Sequence, residues 1–142
     1  MMNLISNNEK ETRAIGRALG ESCQGGEIFC LSGELGSGKT TLSKGIAQGL
    51  KIKKNITSPT FIILNSYTIP KNSKIKKLIH IDAYRLKNTI ELEGLGFFDL
   101  IKETNNIIII EWGEKIKKYL PAKKITITIK NINSNKRKII IS

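Results

Sequence analysis

Apolar residues along this chain fall in short blocks whose spacing switches between the periods of helix and strand. Ser6 to Glu9 (SNNE) has the form of a capping box, and Ile15, Ala18, Leu19 and Cys23 follow at helical spacing until Gln24-Gly25-Gly26 ends the run. EIFCLSG, Glu27 to Gly33, then predicts a buried strand. A glycine-rich loop leads into KTTLSKGIAQGL, where Leu42, Ile46 and Leu50 share one helical face. SPTFIILNSYTI (Ser58 to Ile69) predicts a strand entered through Pro59, and LIHIDAYRL (Leu78 to Leu86) predicts another. The polar stretch Pro70 to Lys77 between them reads as a hairpin connection, so the two strands are expected to be antiparallel neighbours.

Asn88 to Glu103 is helical in composition but broken near Gly94 and Gly96. NNIIIIEWGEK, from Asn105, is a continuous apolar run closed by an acid, the pattern of a strand buried on both faces. The alternation in KKITITIKNI and the closing KRKIIIS predict a terminal antiparallel pair. Together these blocks predict a three-layer α/β fold of the P-loop type, with a mixed, partly parallel central sheet and an antiparallel extension. The 142 residues are expected to form a single domain, 1–142.

The start MMNLISNNEKE lacks the basic flank and long apolar run of a secretory signal, and the longest apolar blocks, IFCL and IIII, are far below membrane-spanning length. A cytoplasmic protein without membrane contact is expected. Cys23 and Cys30 form no Cys-x-x-Cys pair, and only one histidine is present, so both read as small apolar packing residues rather than zinc ligands. The formal charge of +12 points toward nucleic acid at first sight. However, 20 of the 24 basic residues are lysine, clustered at 51–54, 71–77, 115–124 and 136–138 without interleaved aromatics, so a solvated basic surface is the default reading.

Gly33, Gly36, Gly38 and Gly45 soften the region after the first strand, and phosphate gives that softness a reason. Gly33 to Thr40 (GELGSGKT) fits G-x-x-x-x-G-K-[ST] between a strand and a helix. Glycines let consecutive N–H groups turn inward around phosphate oxygens, and the helix starting near Lys39 adds its positive end. The Lys39 ammonium would neutralise the outer phosphates, and the Thr40 hydroxyl is a hard ligand for Mg²⁺.

Such a site also needs an acid at the end of a buried strand. Asp82 closes LIHID and Glu111 closes IIIIE, and in a parallel sheet both could face the metal. Either could instead cap a loop or pair with a lysine. Thr60 in TSPTF offers a hydroxyl that could approach a γ-phosphate. His80 could be a packed, hydrogen-bonded imidazole, and Trp112, the single tryptophan, either core or pocket wall.

GELGSGKTTLSKG, SPTF, HIDAYRL and EWGEK, in this order, resemble the bacterial TsaE (YjeE-type) ATPases, which support synthesis of threonylcarbamoyladenosine in tRNA. The resemblance runs from about Glu11 to the C-terminus. It implies nucleotide contacts from Glu34, Leu35, Gly36, Ser37, Gly38, Lys39, Thr40 and Thr41, with Thr40 and Glu111 as magnesium ligands. It further implies a catalytic or metal-water role for Asp82, a switch-like role for Thr60 and a place beside the nucleotide for Trp112. Thr12 and Arg137 would approach the base and phosphates. Ser37 stands where the family often has alanine, and Lys44 where arginine is usual. The implied cofactors are ATP and Mg²⁺ and the implied partners TsaD and TsaB, with contact to tRNA left open.

With Arg85 and Arg137 the only candidates for an arginine finger, hydrolysis by the chain alone should be slow. Three other classes compete. A small-molecule kinase would need a lid and more arginines. A GTPase would need Asn-Lys-x-Asp, which NKRK does not supply. A charge-driven RNA-binding module would be steeply salt-dependent and indifferent to Lys39→Ala.

Overall fold

The computed structural model describes residues 1–57, 64–71 and 74–142. Among them a seven-stranded sheet has the order β1-β7-β6-β2-β5-β4-β3. The strands are β1 (Met2–Ser6), β2 (Ile28–Ser32), β3 (Leu64–Thr68), β4 (Lys77–Asp82), β5 (Asn106–Glu111), β6 (Ile125–Asn131) and β7 (Arg137–Ile141). β6, β2, β5 and β4 run parallel, whereas β3 pairs antiparallel with β4 at one end and β7 and β1 continue antiparallel at the other. The architecture is a mixed α/β sandwich, parallel at its centre and antiparallel at both margins.

Two core layers follow from the period-two alternation of the central strands. Phe29, Leu31, Leu78, Ile107, Ile109, Ile127 and Ile129 point to one face, against Leu42 and Ile46 of α2 (Lys39–Gly49) and partly buried Ile15 and Leu19 of α1 (Glu9–Glu21). Ile28, Cys30, Ile79, Ile81, Ile108 and Ile110 point to the other, against Leu92 of α3 (Thr89–Gly94), Phe97 of α4 (Phe97–Leu100) and Ile116 of a 3₁₀ segment (Gly113–Tyr119). All six residues of β5 are buried, as an uninterrupted isoleucine run bounded by Asn106 and Glu111 requires.

The structure departs from the sequence expectations at the N-terminus. The helix cap is Asn8, whose side chain accepts from the Glu11 N–H at 2.8 Å, while Glu11 accepts from the Asn7 N–H at 2.7 Å. The box therefore lies two residues beyond SNNE. Ser6 instead ends β1, an unforeseen strand that exists because β7 offers it a partner edge. The predicted strand over Ser58 to Ile69 is described only from Leu64, and its first part lies outside the described residues. LIHIDAYRL stops being strand at Asp82.

One packing device sets up the site. Gly16 and Gly20 on α1 face Gly45 and Gly49 on α2, and a Cβ at any of the four would strike backbone of the opposite helix. Gly45 thus belongs to a helix contact and not to the phosphate loop. The two four-residue glycine repeats let the helices run parallel with backbones touching. As a result, the N-terminal turn of α1 lies beside that of α2.

Candidate functional site

β2 delivers the chain at Ser32 into the loop, and α2 begins at Lys39. Gly36 and Gly38 have φ of 75° and 107°, conformations that would strain any residue bearing a Cβ. Gly38 is also the N-cap of α2 and supplies no capping side chain. The amides of that turn therefore keep the donor capacity that draws anions to helix starts.

The Lys39 side chain bends back over the loop. Its Nζ donates to the Gly33 carbonyl at 2.5 Å and the Glu34 carbonyl at 2.9 Å, and lies 4.3 Å from the centre of the Trp112 ring. Burial pulls the ammonium's pKa below the usual lysine value, and the nearby charges of Glu111, Glu114 and Asp82 oppose that fall. Trp112 holds this position in a left-handed conformation (φ 60°), with Tyr84 packed on it at a ring separation of 4.9 Å.

β4 and β5 are in register, so that Asp82 pairs with Glu111 at the carboxyl ends of both strands. Their roles then diverge. Glu111 is buried, and its Oε1 accepts from the Thr40 hydroxyl at 3.4 Å. Its Oε2 lies 2.5 Å from Nε2 of His80, which is fully buried on β4. Nδ1 of His80 is buried without a hydrogen-bond partner among the described residues. The tautomer with its hydrogen on Nε2 satisfies the contact to Glu111 and leaves Nδ1 as a bare lone pair, which costs less than an unbonded N–H. Asp82 is half-exposed and accepts from the Tyr84 N–H at 2.9 Å, closing the turn after β4. That is the loop-capping alternative, although Asp82 still lies within electrostatic reach of Lys39.

Thr12 and Arg137 approach the loop from the other side. Thr12 is buried, 2.6 Å from the Ser6 hydroxyl, and lines a cavity of about 260 Å³ together with Gly36, Gly38, Thr41, Asn135 and Arg137. Arg137 donates to the carbonyls of Ser37 (2.9 Å) and Gly36 (3.2 Å) and, through Nη1, to those of Asn133 and Lys136. Its guanidinium therefore ties the loop's main chain to the β6–β7 hairpin, a task the sequence did not reveal. Leu35 is exposed and Ser37 buried. Thr60 lies outside the described residues.

No cluster of three or more His, Cys, Asp or Glu side chains suited to a metal occurs among the described residues. Thr40 and Glu111 are instead a pair of hard oxygen donors, the small protein share that Mg²⁺ takes when phosphate and water complete its shell. The residues fit that ion.

A glycine loop between a parallel strand and a helix, with acids at the carboxyl ends of neighbouring strands, defines the phosphate-loop class of α/β proteins. The family model for "Threonylcarbamoyl adenosine biosynthesis protein TsaE" matches residues 6–139. The tRNA threonylcarbamoyladenosine biosynthesis protein TsaE of Bacillus subtilis is 36% identical over 132 residues, 93% of this chain and 79% of that protein. Its counterpart in Treponema pallidum is 32% identical over 141 residues, covering 99% of this chain and 100% of that protein. The crystal structure of Bacillus subtilis YdiB superposes with a TM-score of 0.74 at 30% identity, over 97% of this chain and 82% of that one. The chain belongs to the TsaE family of tRNA threonylcarbamoyladenosine biosynthesis.

Proposed function

We propose that this chain is a single-domain, cytoplasmic ATPase subunit that binds ATP with Mg²⁺, hydrolyses it slowly alone, and supports tRNA modification together with TsaD- and TsaB-type partners. The observation that carries this reading is the convergence of Lys39, Thr40 and the buried Glu111 on one glycine loop. To bind a triphosphate, the Lys39 ammonium exchanges the Gly33 and Glu34 carbonyls for phosphate oxygens. The loop amides from Glu34 to Thr41 close around the same group.

Thr40 and Glu111 would hold Mg²⁺, which would supply positive charge beside the phosphates when bound. His80 fixes the Glu111 carboxylate from behind. Asp82, beside it on the neighbouring strand, orients or deprotonates the attacking water, and Thr60 serves as a switch hydroxyl. Thr12 lines the cavity that would take the base, Arg137 holds the loop in shape, and Trp112 flanks the nucleotide.

Slow turnover alone has a physical basis in the arginines. Of the two candidate arginines, Arg137 is committed to main-chain carbonyls and Arg85 lies exposed in the turn after β4. An arginine supplied to the transferring phosphoryl group is worth about a thousandfold or more in rate. ATP turnover by the purified chain, with and without TsaD- and TsaB-type proteins, tests the reading. Turnover should be slow, rise in the complex, and vanish in Lys39→Ala and Glu111→Ala variants that still fold. Rapid turnover without partners, or normal turnover in either variant, would overturn it.

A further inference from the structure

Two cavities on the α1–α2 side adjoin one another and share Ile52, Lys53 and Lys54 in their walls. The larger, about 830 Å³, lies between the loop that follows α2 and the end of β3; the smaller, about 120 Å³, continues toward α1. Six cationic residues line them: Arg13, which also pairs with Glu9, and Lys44, Lys51, Lys53, Lys54 and Lys71. No aspartate or glutamate lines either one among the described residues. The larger groove is more than a charged rim, because Ile52, Tyr67 and Pro70 also line it, and Tyr67 is half-buried against the core. In the sequence this lysine cluster has no aromatic neighbour; the fold supplies one from β3.

Backbone strain marks the same place. Lys51 (φ 67°) and Lys71 (φ 53°) are two of the three non-glycine residues with positive φ among those described, and both line the larger groove. Lys51 directly follows the C-cap of α2, where glycine is the usual residue because it adopts this conformation freely. A lysine there costs stability, and the charge it places on the groove is a reason for tolerating the cost.

We propose that this lysine-lined groove binds single-stranded or loop RNA, the cations tracking the phosphate backbone and Tyr67 offering a face on which a base stacks. Point charges around an apolar, aromatic floor are the design of sequence-tolerant RNA grooves. The net charge of +12 opposes a second copy of the chain as occupant. An acidic protein would match the charge but leaves the ring of Tyr67 without a specific use. The proposal extends the tRNA side of the function proposed above and does not depend on the phosphate loop.

Fluorescence anisotropy with a labelled, unstructured 12-nucleotide RNA tests it. Lys51→Glu/Lys53→Glu/Lys54→Glu should weaken binding at least tenfold and flatten the dependence of log affinity on log salt by about 2. Lys117→Glu/Lys118→Glu/Lys123→Glu changes net charge equally elsewhere and should have little effect. Tyr67→Leu keeps an apolar residue but removes the ring, and should weaken binding about fivefold or more. Lys51→Gly should raise the melting temperature while lowering RNA affinity. Lys39→Ala should bind RNA normally, which separates this proposal from the ATPase reading. Equal losses in the two triple variants would reduce the effect to bulk charge and overturn the groove. Unchanged binding in the groove variant, or an acidic polypeptide such as polyglutamate binding there more tightly than RNA, would overturn it as well.

Discussion

His80 shows how one atom pair changes a residue's meaning. In the sequence it is a lone histidine in an apolar strand. In space its Nε2 meets the carboxylate of Glu111, the acid nearest Thr40. A partner of this kind fixes the direction of a metal-binding carboxylate, and losing it costs roughly ten- to a hundredfold in metal affinity. His80→Leu should therefore raise the Mg²⁺ concentration needed for Trp112 fluorescence to respond to ATP, with affinity for metal-free ATP changed much less, and His80→Gln should restore part of it. An equal loss in both affinities would assign His80 to packing alone. Cys23 carries a pH signature. Burial, with help from Glu27, pushes its thiol up from 9.0 to about 12. Between these values the unfolded thiol ionises while the folded one keeps its proton. Its contribution to stability is complete below about 9 and is lost as pH rises toward 12. The urea midpoint should fall more between pH 8.5 and 10.5 in the wild type than in Cys23→Ala.

At the scale of elements, the α1–α2 contact governs the site from a distance. The glycine repeats at 16/20 and 45/49 allow backbone contact between parallel helices, and that contact brings Thr12 beside Gly38. Gly45→Ala forces a methyl group against the Arg13 carbonyl, a rigid neighbour. It should cost about 3 kcal/mol in denaturant unfolding, and the surviving folded protein should bind nucleotide more weakly. An alanine tolerated without loss would mean the helices can separate cheaply. Most elements were legible because the chain states their periods openly: the isoleucine run of β5, the 3.6-residue stripe of α2 and the alternation of β6. β1 was not, because the exposed, mixed pattern of Met2–Ser6 becomes a strand only when β7 presents its edge.

For the whole molecule, the site joins segments far apart in the chain: the loop at 33–41, strand ends at 82 and 111, and the hairpin at 133–137. A triphosphate that binds them together holds the native state alone. ATP with Mg²⁺ at a hundred times its dissociation constant should stabilise the protein by about 2.7 kcal/mol. Lys39→Ala should lose that shift. Trp112 should report the same event, since its ring lies against the Lys39 ammonium that a bound phosphate would draw away. A thermal shift retained in Lys39→Ala, or tryptophan emission indifferent to ATP, would count against this account of the loop.

What the sequence determined by itself was the phosphate loop, the buried strands and the two acids at their ends, because each is written in adjacent residues whose local geometry has few alternatives. Tertiary structure decided which acid is buried beside Thr40 and which one closes a turn. It also gave Arg137 the loop's carbonyls to hold, and set Tyr67 among the lysines that follow α2. These outcomes depend on strand order and helix contact, and a chain read one residue at a time carries no distance between segments a hundred positions apart.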